Sequence, residues 1–210
     1  MNEQELRERI AMHGQSIFNR GLTAGSSGNI SVRVPDGMLI TPTNSCLGRL
    51  DPERISKISN TGHLISGDKP SKEAFLHHSM YQSRPDEQSI VHLHSTHSVA
   101  VSCLENVDRS NALPPITAYY VMRVGTLPVV PYFAPGDERL AGAVEQAAKA
   151  SRAVLLSNHG PVVAGKSLDA AVASTEELEE TAKLFLMLRQ EKTRYLTDAD
   201  VTELNQRFPG

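Results

Sequence analysis

Two kinds of hydrophobic pattern alternate along the chain. Apolar residues recur with helical spacing over residues 3–20, and Gly21 follows, which predicts an amphipathic helix that ends at this glycine. Over residues 30–34 apolar and polar residues alternate, and a Pro-Asp-Gly turn leads into an apolar stretch at residues 38–40. This second pattern predicts a β-hairpin directly after the first helix.

The same alternation of helices and strands continues to the end of the chain. Further helices are predicted at residues 71–81, 96–104, 137–150 and 167–192, with a last short helix from Thr197. Short strands are predicted at residues 90–94, 153–156 and 161–164. Hairpins interleaved with helices favour α/β layers with a largely antiparallel or mixed sheet. We expect one domain over residues 1–210, because neither a repeat nor a break in composition divides the chain.

Composition excludes several classes of function. The 210 residues are 40% hydrophobic and 21% charged, with a net charge of -3, which is typical of a folded soluble protein. The chain has no long basic run, which argues against a nucleic-acid or membrane partner. We expect Cys46 and Cys103 to be reduced thiols. The charged N-terminus and the lack of a long apolar run predict a cytoplasmic protein.

The segment Val91-His92-Leu93-His94 is the strongest chemical feature. Alternate residues of a strand point to the same face, so His92 and His94 present two imidazoles about 7 Å apart along the strand. His159 lies in a tight turn and is the candidate third ligand. Three histidines with an open fourth position suit a catalytic zinc, although an isolated His-x-His pair is more often structural. The other histidines are expected at the surface or behind the ligands: His13, His63, His77, His78 and His97.

A carboxylate and three polar loops complete the candidate site. Glu73 falls in the first turn of the predicted helix that Ser71 caps, where either a favourable helix-dipole interaction or a metal role explains it. Residues 24–29 and 41–45 are rich in glycine, serine and threonine, and Ser71 lies at a helix N-terminus. Such segments turn backbone N–H groups toward anions, which predicts a phosphate pocket, although each segment alone is typical of an ordinary turn.

Taken in order, five segments resemble the class II aldolase and adducin-head family, the zinc-dependent group that includes L-fuculose-phosphate aldolase and L-ribulose-5-phosphate 4-epimerase. They are Gly28-Asn29-Ile30-Ser31-Val32-Arg33, Met38-Leu39-Ile40-Thr41-Pro42-Thr43, Lys69-Pro70-Ser71-Lys72-Glu73, Val91-His92-Leu93-His94 and Asn158-His159-Gly160. The resemblance covers residues 4–190. It implies a three-layer α-β-α fold with a central mixed, largely antiparallel sheet, and a homotetramer with its sites between subunits.

The resemblance also implies a role for individual residues. His92, His94 and His159 match the zinc ligands, and Glu73 matches a carboxylate that binds the metal and acts as acid or base. Zinc is the expected cofactor, while Mn²⁺, Co²⁺ and Fe²⁺ suit the same donors. Either Tyr119 or Tyr120 matches a proton donor that a neighbouring subunit lends to the site, with Tyr119 preferred. The positions that match or flank the phosphate site are Ser27, Gly28, Asn29, Thr43, Asn44 and Ser71.

Departures from the aldolase pattern indicate a subfamily. The aldolase has glycine at Asn44 and serine at Lys72, and the epimerase has aspartate at Glu73. Residues 41–52, 71–73 and 91–98 look most like the 3-oxo-tetronate 4-phosphate decarboxylases of four-carbon acid sugar catabolism. That resemblance implies zinc-dependent loss of CO₂ through a metal-stabilised enediolate, which gives dihydroxyacetone phosphate. Lys72 then holds either the substrate phosphate or the departing carboxylate, and is expected to take part in catalysis.

Two other functions remain open at this point. The first is a class II aldolase that cleaves a phosphorylated ketose such as L-fuculose 1-phosphate with the same metal site. The second is an interaction domain like the adducin head, which shares the fold and lacks the metal ligands. The presence of Glu73 and of all three candidate histidine ligands argues against the second. The stereochemistry of the parent sugar acid and the native metal stay open.

Overall fold

The structure, a computed structural model, describes residues 1–134 and 137–208. The described helices are α1 (Glu3–Asn19), α2 (Ala74–Ser83), α3 (Thr96–Ser102), α4 (Ala118–Arg123), α5 (Arg139–Ala148), α6 (Leu168–Leu188) and α7 (Asp198–Arg207). The described strands are β1 (Asn29–Val34), β2 (Gly37–Ile40), β3 (Ser56–Ser59), β4 (Leu64–Ser66), β5 (Ser89–His92), β6 (Val129–Val130), β7 (Ala153–Leu156) and β8 (Gly160–Gly165). Two 3₁₀ turns, Leu47–Arg49 and Pro52–Arg54, follow β2.

The eight strands form one sheet, in the order β4-β3-β2-β1-β5-β8-β7-β6. Neighbouring strands are antiparallel except β6 and β7, which run parallel. The expected mixed, largely antiparallel sheet is therefore confirmed. The hairpin of β1 and β2 predicted from the alternating pattern and its Pro-Asp-Gly turn is also present.

Helices cover both faces of this sheet. One face packs against α2 and α5 through a buried apolar cluster that includes Met80, Ile90 and Val144. The other face packs against α1, α3, α4 and α6 through two further clusters. Because successive side chains of a strand point to opposite faces, Ile90 belongs to the first cluster and Val91 to the second. The three layers expected from the resemblance are confirmed.

Two element boundaries near the histidines differ from those predicted. Strand β5 ends at His92, so His94 lies beyond the strand and not within it as predicted. Beyond His92 the neighbouring residue on β8 is Pro161, which has no N–H for the ladder, and the chain leaves the sheet to begin α3 after Ser95. Helix α2 begins at Ala74 and not near Ser71, since the residues before it form a turn in which the N–H of Ala74 bonds to the carbonyl of Ser71.

Short elements escaped the sequence patterns. Strands β3, β4 and β6, and helix α4, have six residues or fewer and were not predicted. Strand β4 is exposed at every position, so it has no buried face to give an alternating pattern. Helix α6 ends at Leu188, a few residues before the predicted end. Within residues 1–134 and 137–208, no helix combines the length and the apolar character that crossing a membrane requires.

Candidate metal centre

Four side chains converge on one point at the ends of the central strands β5 and β8. They are Glu73, His92, His94 and His159. Their ligand atoms all lie within 4.8 Å of one another. Nε2 of His94 lies 3.1 Å from Nε2 of His92 and 2.9 Å from Nε2 of His159. The carboxylate oxygens of Glu73 lie 3.5 Å from Nε2 of His92 and 3.2 Å from Nε2 of His159. The structure thus brings together the four residues that the sequence predicts as ligands.

Four different elements deliver these side chains. His92 is the last residue of β5, and His94 follows two residues later in the loop before α3. His159 lies in the turn between β7 and β8, and Glu73 precedes the first residue of α2. Gly160 allows the β7–β8 turn to lie against the His94 segment, since a Cβ atom there would stand 2.3 Å from the carbonyl oxygen of Leu93.

Hydrogen bonding and burial prepare the imidazoles as ligands. Nδ1 of His92 lies 2.8 Å from the carbonyl oxygen of Pro161, which only accepts, so Nδ1 donates and Nε2 carries the free lone pair. Burial lowers the pKa of His92 to about 4 and also lowers that of His94. Both rings are therefore neutral near pH 7, as a metal ligand must be.

Glu73 lies in a more complex field. Burial by itself would raise the pKa of the Glu73 carboxyl, but the hydrogen bond to His159, the electrostatic attraction of the nearby His92 ring and the hydrogen bond from Asn29 outweigh it and hold that pKa below its usual range. Nδ2 of Asn29 donates to Oε2 of Glu73 at 2.7 Å. The centre therefore presents an anionic oxygen donor beside the neutral nitrogen donors of His92 and His94.

This donor set fits a divalent cation. A tetrahedral zinc site with bonds of about 2.0–2.1 Å places its ligand atoms about 3.3 Å apart. Four distances among the donor groups, 2.9 to 3.5 Å, are close to that spacing, with Oε2 of Glu73 measured to His92 and Oε1 to His159. Three imidazole nitrogens and one carboxylate are also donors that zinc and other first-row divalent metals accept.

A cavity of 650 Å³ opens in front of the centre. Small polar residues of the predicted phosphate loops line one side of it: Gly28, Asn29, Thr43, Asn44 and Ser71. Ser27, the sixth predicted residue, does not line the cavity, and its hydroxyl donates instead to the carbonyl of Ala24 at 2.7 Å. Ser26, which sequence reasoning did not single out, lines the wall in its place. The cavity thus joins a metal-type donor set to a polar, anion-accepting wall.

Comparison with known proteins agrees with this geometry. Residues 8–186 match the family described as Class II Aldolase and Adducin N-terminal domain. The chain belongs to this family. It is 53% identical to the 3-oxo-tetronate 4-phosphate decarboxylase of Pectobacterium atrosepticum, over 97% of this chain and 94% of that one. It is 37% identical to the L-fuculose phosphate aldolase of Haemophilus influenzae, over 90% and 85% of the two chains.

A solved structure extends the likeness to the whole fold. The crystal structure of YgbL from Klebsiella pneumoniae superimposes with a TM-score of 0.95 at 51% identity, and the match covers 97% of this chain and 99% of that one. The expected class II aldolase fold is confirmed. As a member of this family with four candidate metal donors close together, the chain is a metal-dependent carbon–carbon lyase.

The backbone explains one departure from the aldolase pattern. Asn44 has a φ of +57°, in the left-handed region that glycine adopts without strain and that asparagine tolerates better than other residues. The resemblance places a glycine at this position in the aldolase. Asn44 therefore keeps the turn of a class II aldolase and adds an amide side chain to the cavity wall. Asn158, with a φ of +55°, also lines the cavity, beside His159.

The other predicted catalytic residues take different positions. Lys72 is exposed and lines the cavity next to Glu73. Tyr119 does not line this chain's cavity, and 60% of its surface is exposed on α4. Tyr120 is buried, with its hydroxyl 3.5 Å from the carbonyl oxygen of Leu113. Of the two tyrosines, only Tyr119 is thus available to a neighbouring molecule.

Sequence reasoning missed the apolar part of the cavity. The apolar or aromatic residues that line it are Phe75, Tyr132, Phe133, Leu140 and Leu156. Phe75 and Leu140 lie at the start of helices α2 and α5, where their spacing is that of ordinary core residues. Only the packing of these two helices on the same sheet face brings their first turns to one cavity, which no local pattern shows.

The remaining histidines divide into exposed and buried positions. His63 and His78 are exposed and His13 is partly exposed, as expected for surface residues. His97 hydrogen-bonds through Nδ1 to Oε1 of Glu179 at 2.8 Å. His77 is fully buried and lies behind Asn29, where it hydrogen-bonds to the side-chain oxygen of that residue.

Proposed function

We propose that the protein decarboxylates 3-oxo-tetronate 4-phosphate to dihydroxyacetone phosphate and CO₂, with zinc as its cofactor. The observation that carries this proposal is Lys72, a cation on the cavity wall beside Glu73 and the three histidines. Relatives at 50–53% identity that are named 3-oxo-tetronate 4-phosphate decarboxylase support it. The reaction belongs to four-carbon acid sugar catabolism.

The substrate brings three groups that the cavity has to accommodate. It carries a carboxylate at one end, a phosphate at the other, and a ketone β to the carboxylate. When the bond between the carboxylate carbon and its neighbour breaks, its electron pair moves toward the ketone oxygen and an enediolate forms. One proton added to the carbon that lost CO₂ then gives dihydroxyacetone phosphate.

Different residues of the cavity bind different groups of the substrate. The polar loops that contain Gly28, Thr43 and Ser71 hold the phosphate and fix the orientation of the substrate. Glu73 and the three histidines would hold a divalent cation, which would supply Lewis-acid stabilisation to the oxygen that gains negative charge. Apolar side chains such as Phe75 and Leu156 form another part of the cavity wall and exclude water there.

Lys72 is assigned to the carboxylate of the substrate. Among the described residues that line the cavity, Lys72 is the only lysine or arginine, and the polar loops already provide for the phosphate. An ammonium group there holds the carboxylate in place before CO₂ leaves. We expect Lys72→Ser to raise the KM for the acid substrate, and an unchanged KM and kcat would contradict this assignment.

The proton comes from Tyr119 of a neighbouring subunit or from Glu73, which is ionised in this structure and would first have to take up a proton. The exposed position of Tyr119, away from the cavity of its own chain, supports the tyrosine as the source. We accordingly propose a homotetramer whose sites lie between subunits.

A coupled assay tests the proposed reaction. An acid-sugar kinase generates the unstable substrate in place, and dihydroxyacetone phosphate and CO₂ are followed with zinc-loaded protein and with a chelated control. Formation of both products above the spontaneous rate, lost on chelation, is the expected result. CO₂ release at the spontaneous rate by protein with its metal bound would overturn the proposal. Aldehyde release from a phosphorylated ketose such as L-fuculose 1-phosphate would then identify an aldolase, which the 37% identical relative makes the second candidate.

A further inference from the structure

A row of polar side chains connects α2 with β1 behind the metal centre. Glu73, the N-cap of α2, and His77 and Tyr81 within this helix are spaced four residues apart. Asn29 and Ser31 are two residues apart on one face of β1. Four helical residues rise about 6.0 Å and two strand residues about 6.8 Å. Because these repeats nearly match, the two sets of side chains alternate in a single row.

Each neighbour in this row is within hydrogen-bond distance of the next. Asn29 donates through Nδ2 to Glu73 at 2.7 Å, and its Oδ1 faces Nε2 of His77. Nδ1 of His77 lies 2.7 Å from the hydroxyl of Ser31, which lies 2.9 Å from the hydroxyl of Tyr81. The row thus runs without a break from Glu73, the candidate metal ligand, to Tyr81 in the last turn of α2.

The carboxylate at one end fixes the direction of every bond in the row. The ionised Glu73 accepts only, so Asn29 must donate its amide N–H to it and turn its oxygen toward His77. That oxygen also accepts only, so Nε2 of His77 must carry the proton. In the neutral ring Nδ1 then accepts from Ser31, whose oxygen accepts from Tyr81.

Burial keeps the members of the row in these states. His77 is fully buried, and burial together with the nearby His92 lowers the pKa of His77 to about 3. Burial also raises the pKa of the Tyr81 hydroxyl far above its usual range, so this hydroxyl keeps its proton. At the far end of the row, the guanidinium carbon of Arg33 lies 4.4 Å from the centre of the Tyr81 ring.

We propose that His77 is a positioning residue, whose Nε2–H orients the Asn29 amide so that this amide holds the Glu73 carboxylate toward the metal. The inference rests on the proposed function only for the part that Glu73 plays in the reaction. Without the donor at His77, the Asn29 amide is free to rotate and turn its oxygen toward the carboxylate. Two acceptors then face each other, and Glu73 loses the bond that fixes it.

The tautomer of His77 is the first test, and it needs no substrate. In zinc-loaded protein labelled with ¹⁵N, long-range ¹H–¹⁵N correlation of the ring distinguishes the Nε2–H from the Nδ1–H form. The expected result at neutral pH is a neutral ring protonated at Nε2. A ring protonated at Nδ1, or at both nitrogens, would overturn the inference, because neither form leaves Nδ1 accepting from Ser31 while Nε2 donates to Asn29.

Variants at position 77 provide the second test. His77→Gln keeps an N–H near the position of Nε2, and His77→Leu removes it. We expect His77→Leu to weaken zinc binding and to lower kcat/KM by roughly 10–100-fold, the range for outer partners of metal ligands, and His77→Gln to recover most of both losses. His78→Leu changes the exposed neighbour on the same helix and serves as the matched control.

The outcomes separate this inference from the proposed function. Folded Leu and Gln variants that lose zinc affinity equally would show that the donor is not what matters, and would overturn the positioning role. If the wild-type protein fails to decarboxylate while the tautomer and the zinc affinities follow the expected pattern, the proposed reaction fails and the role of His77 stands.

Discussion

The carboxylate of Glu179 accepts two hydrogen bonds from Ser98, one from its hydroxyl at 2.6 Å and one from its backbone N–H at 2.9 Å. The other carboxylate oxygen accepts from the backbone N–H of His97 at 2.8 Å. Helix α6 thus satisfies the free N–H groups at the start of α3 from outside that helix. Because only Ser95 separates His94 from α3, this contact also fixes the segment that carries this candidate metal ligand.

Replacing Glu179 with alanine should therefore destabilise the fold. We expect the free energy of unfolding to fall by about 3 kcal/mol, because buried N–H and hydroxyl groups lose a charged acceptor. Denaturant unfolding of the metal-free protein measures this change. The neighbouring Glu180 is exposed and its carboxylate lies 3.8 Å from Lys183, so Glu180→Ala should change stability by less than about 0.5 kcal/mol. Equal losses in the two variants would contradict the capping role.

Two glycines should respond to alanine in opposite directions. In Gly160→Ala the new methyl group would meet the carbonyl oxygen of Leu93 at 2.3 Å, so β8 must move away from the segment that carries His94. We expect lower stability, by roughly 1–3 kcal/mol, and weaker metal binding. Gly142 lies exposed in α5 with no atom within 4 Å of an added Cβ, and Gly142→Ala should gain about 1 kcal/mol. Thermal unfolding and metal titration of both variants check the pair, and metal affinity retained in Gly160→Ala would count against the close approach.

The candidate metal donors lie in short motifs and could be chosen from the sequence, whereas the groups behind them could not. His92 and His94 stand out by their spacing, yet β5 ends at His92 and the turn of the chain before α3 brings His94 into place. His77 and the exposed His78 are adjacent in the sequence, so no local motif distinguishes them. His77 is buried because it lies on the side of α2 that packs against β1. The signal that could have found it is the four-residue spacing of Glu73, His77 and Tyr81 opposite the alternate positions of β1.

For the candidate phosphate-binding loops, too, the sequence predicts the segment but not which residue faces the cavity. Their small polar residues were predictable as a group, but a glycine-rich turn does not show which hydroxyl faces the cavity. Ser27 bonds within its own loop while Ser26 lines the wall. A one-residue difference of this kind depends on the backbone dihedrals around Gly25 and Gly28, which both have positive φ.

Acid stability should depend on His77. In the folded protein its pKa is lowered to about 3 by burial and by His92, while Glu73 acts in the opposite direction. In the unfolded chain a histidine titrates near pH 6.5. Above that pH the ring is neutral in both states and contributes nothing, and as the pH falls from about 6.5 toward 3 only the unfolded chain takes up the proton, so stability is lost.

The corresponding measurement is the pH dependence of the unfolding free energy. Wild-type protein should take up about one more proton on unfolding near pH 5 than His77→Gln, with both proteins free of metal so that the ligands contribute equally. An equal pH slope in the two proteins would show that the His77 ring is already charged in the fold.

The position of Tyr119 leads to a prediction that requires two different subunits in one assembly. The ring is exposed on α4 and does not line the cavity of its own chain, so a role in proton transfer has to be played in a neighbouring subunit. Tyr119→Phe and Glu73→Gln homomers should each lose roughly 100-fold or more in kcat. When the two variants are mixed and allowed to exchange subunits, some sites combine an intact Glu73 with an intact Tyr119, and activity should return. Tyr120→Phe should remain active on its own, because that hydroxyl faces the interior near Leu113. If mass spectrometry shows mixed assemblies and activity does not return, Tyr119 is not supplied between subunits.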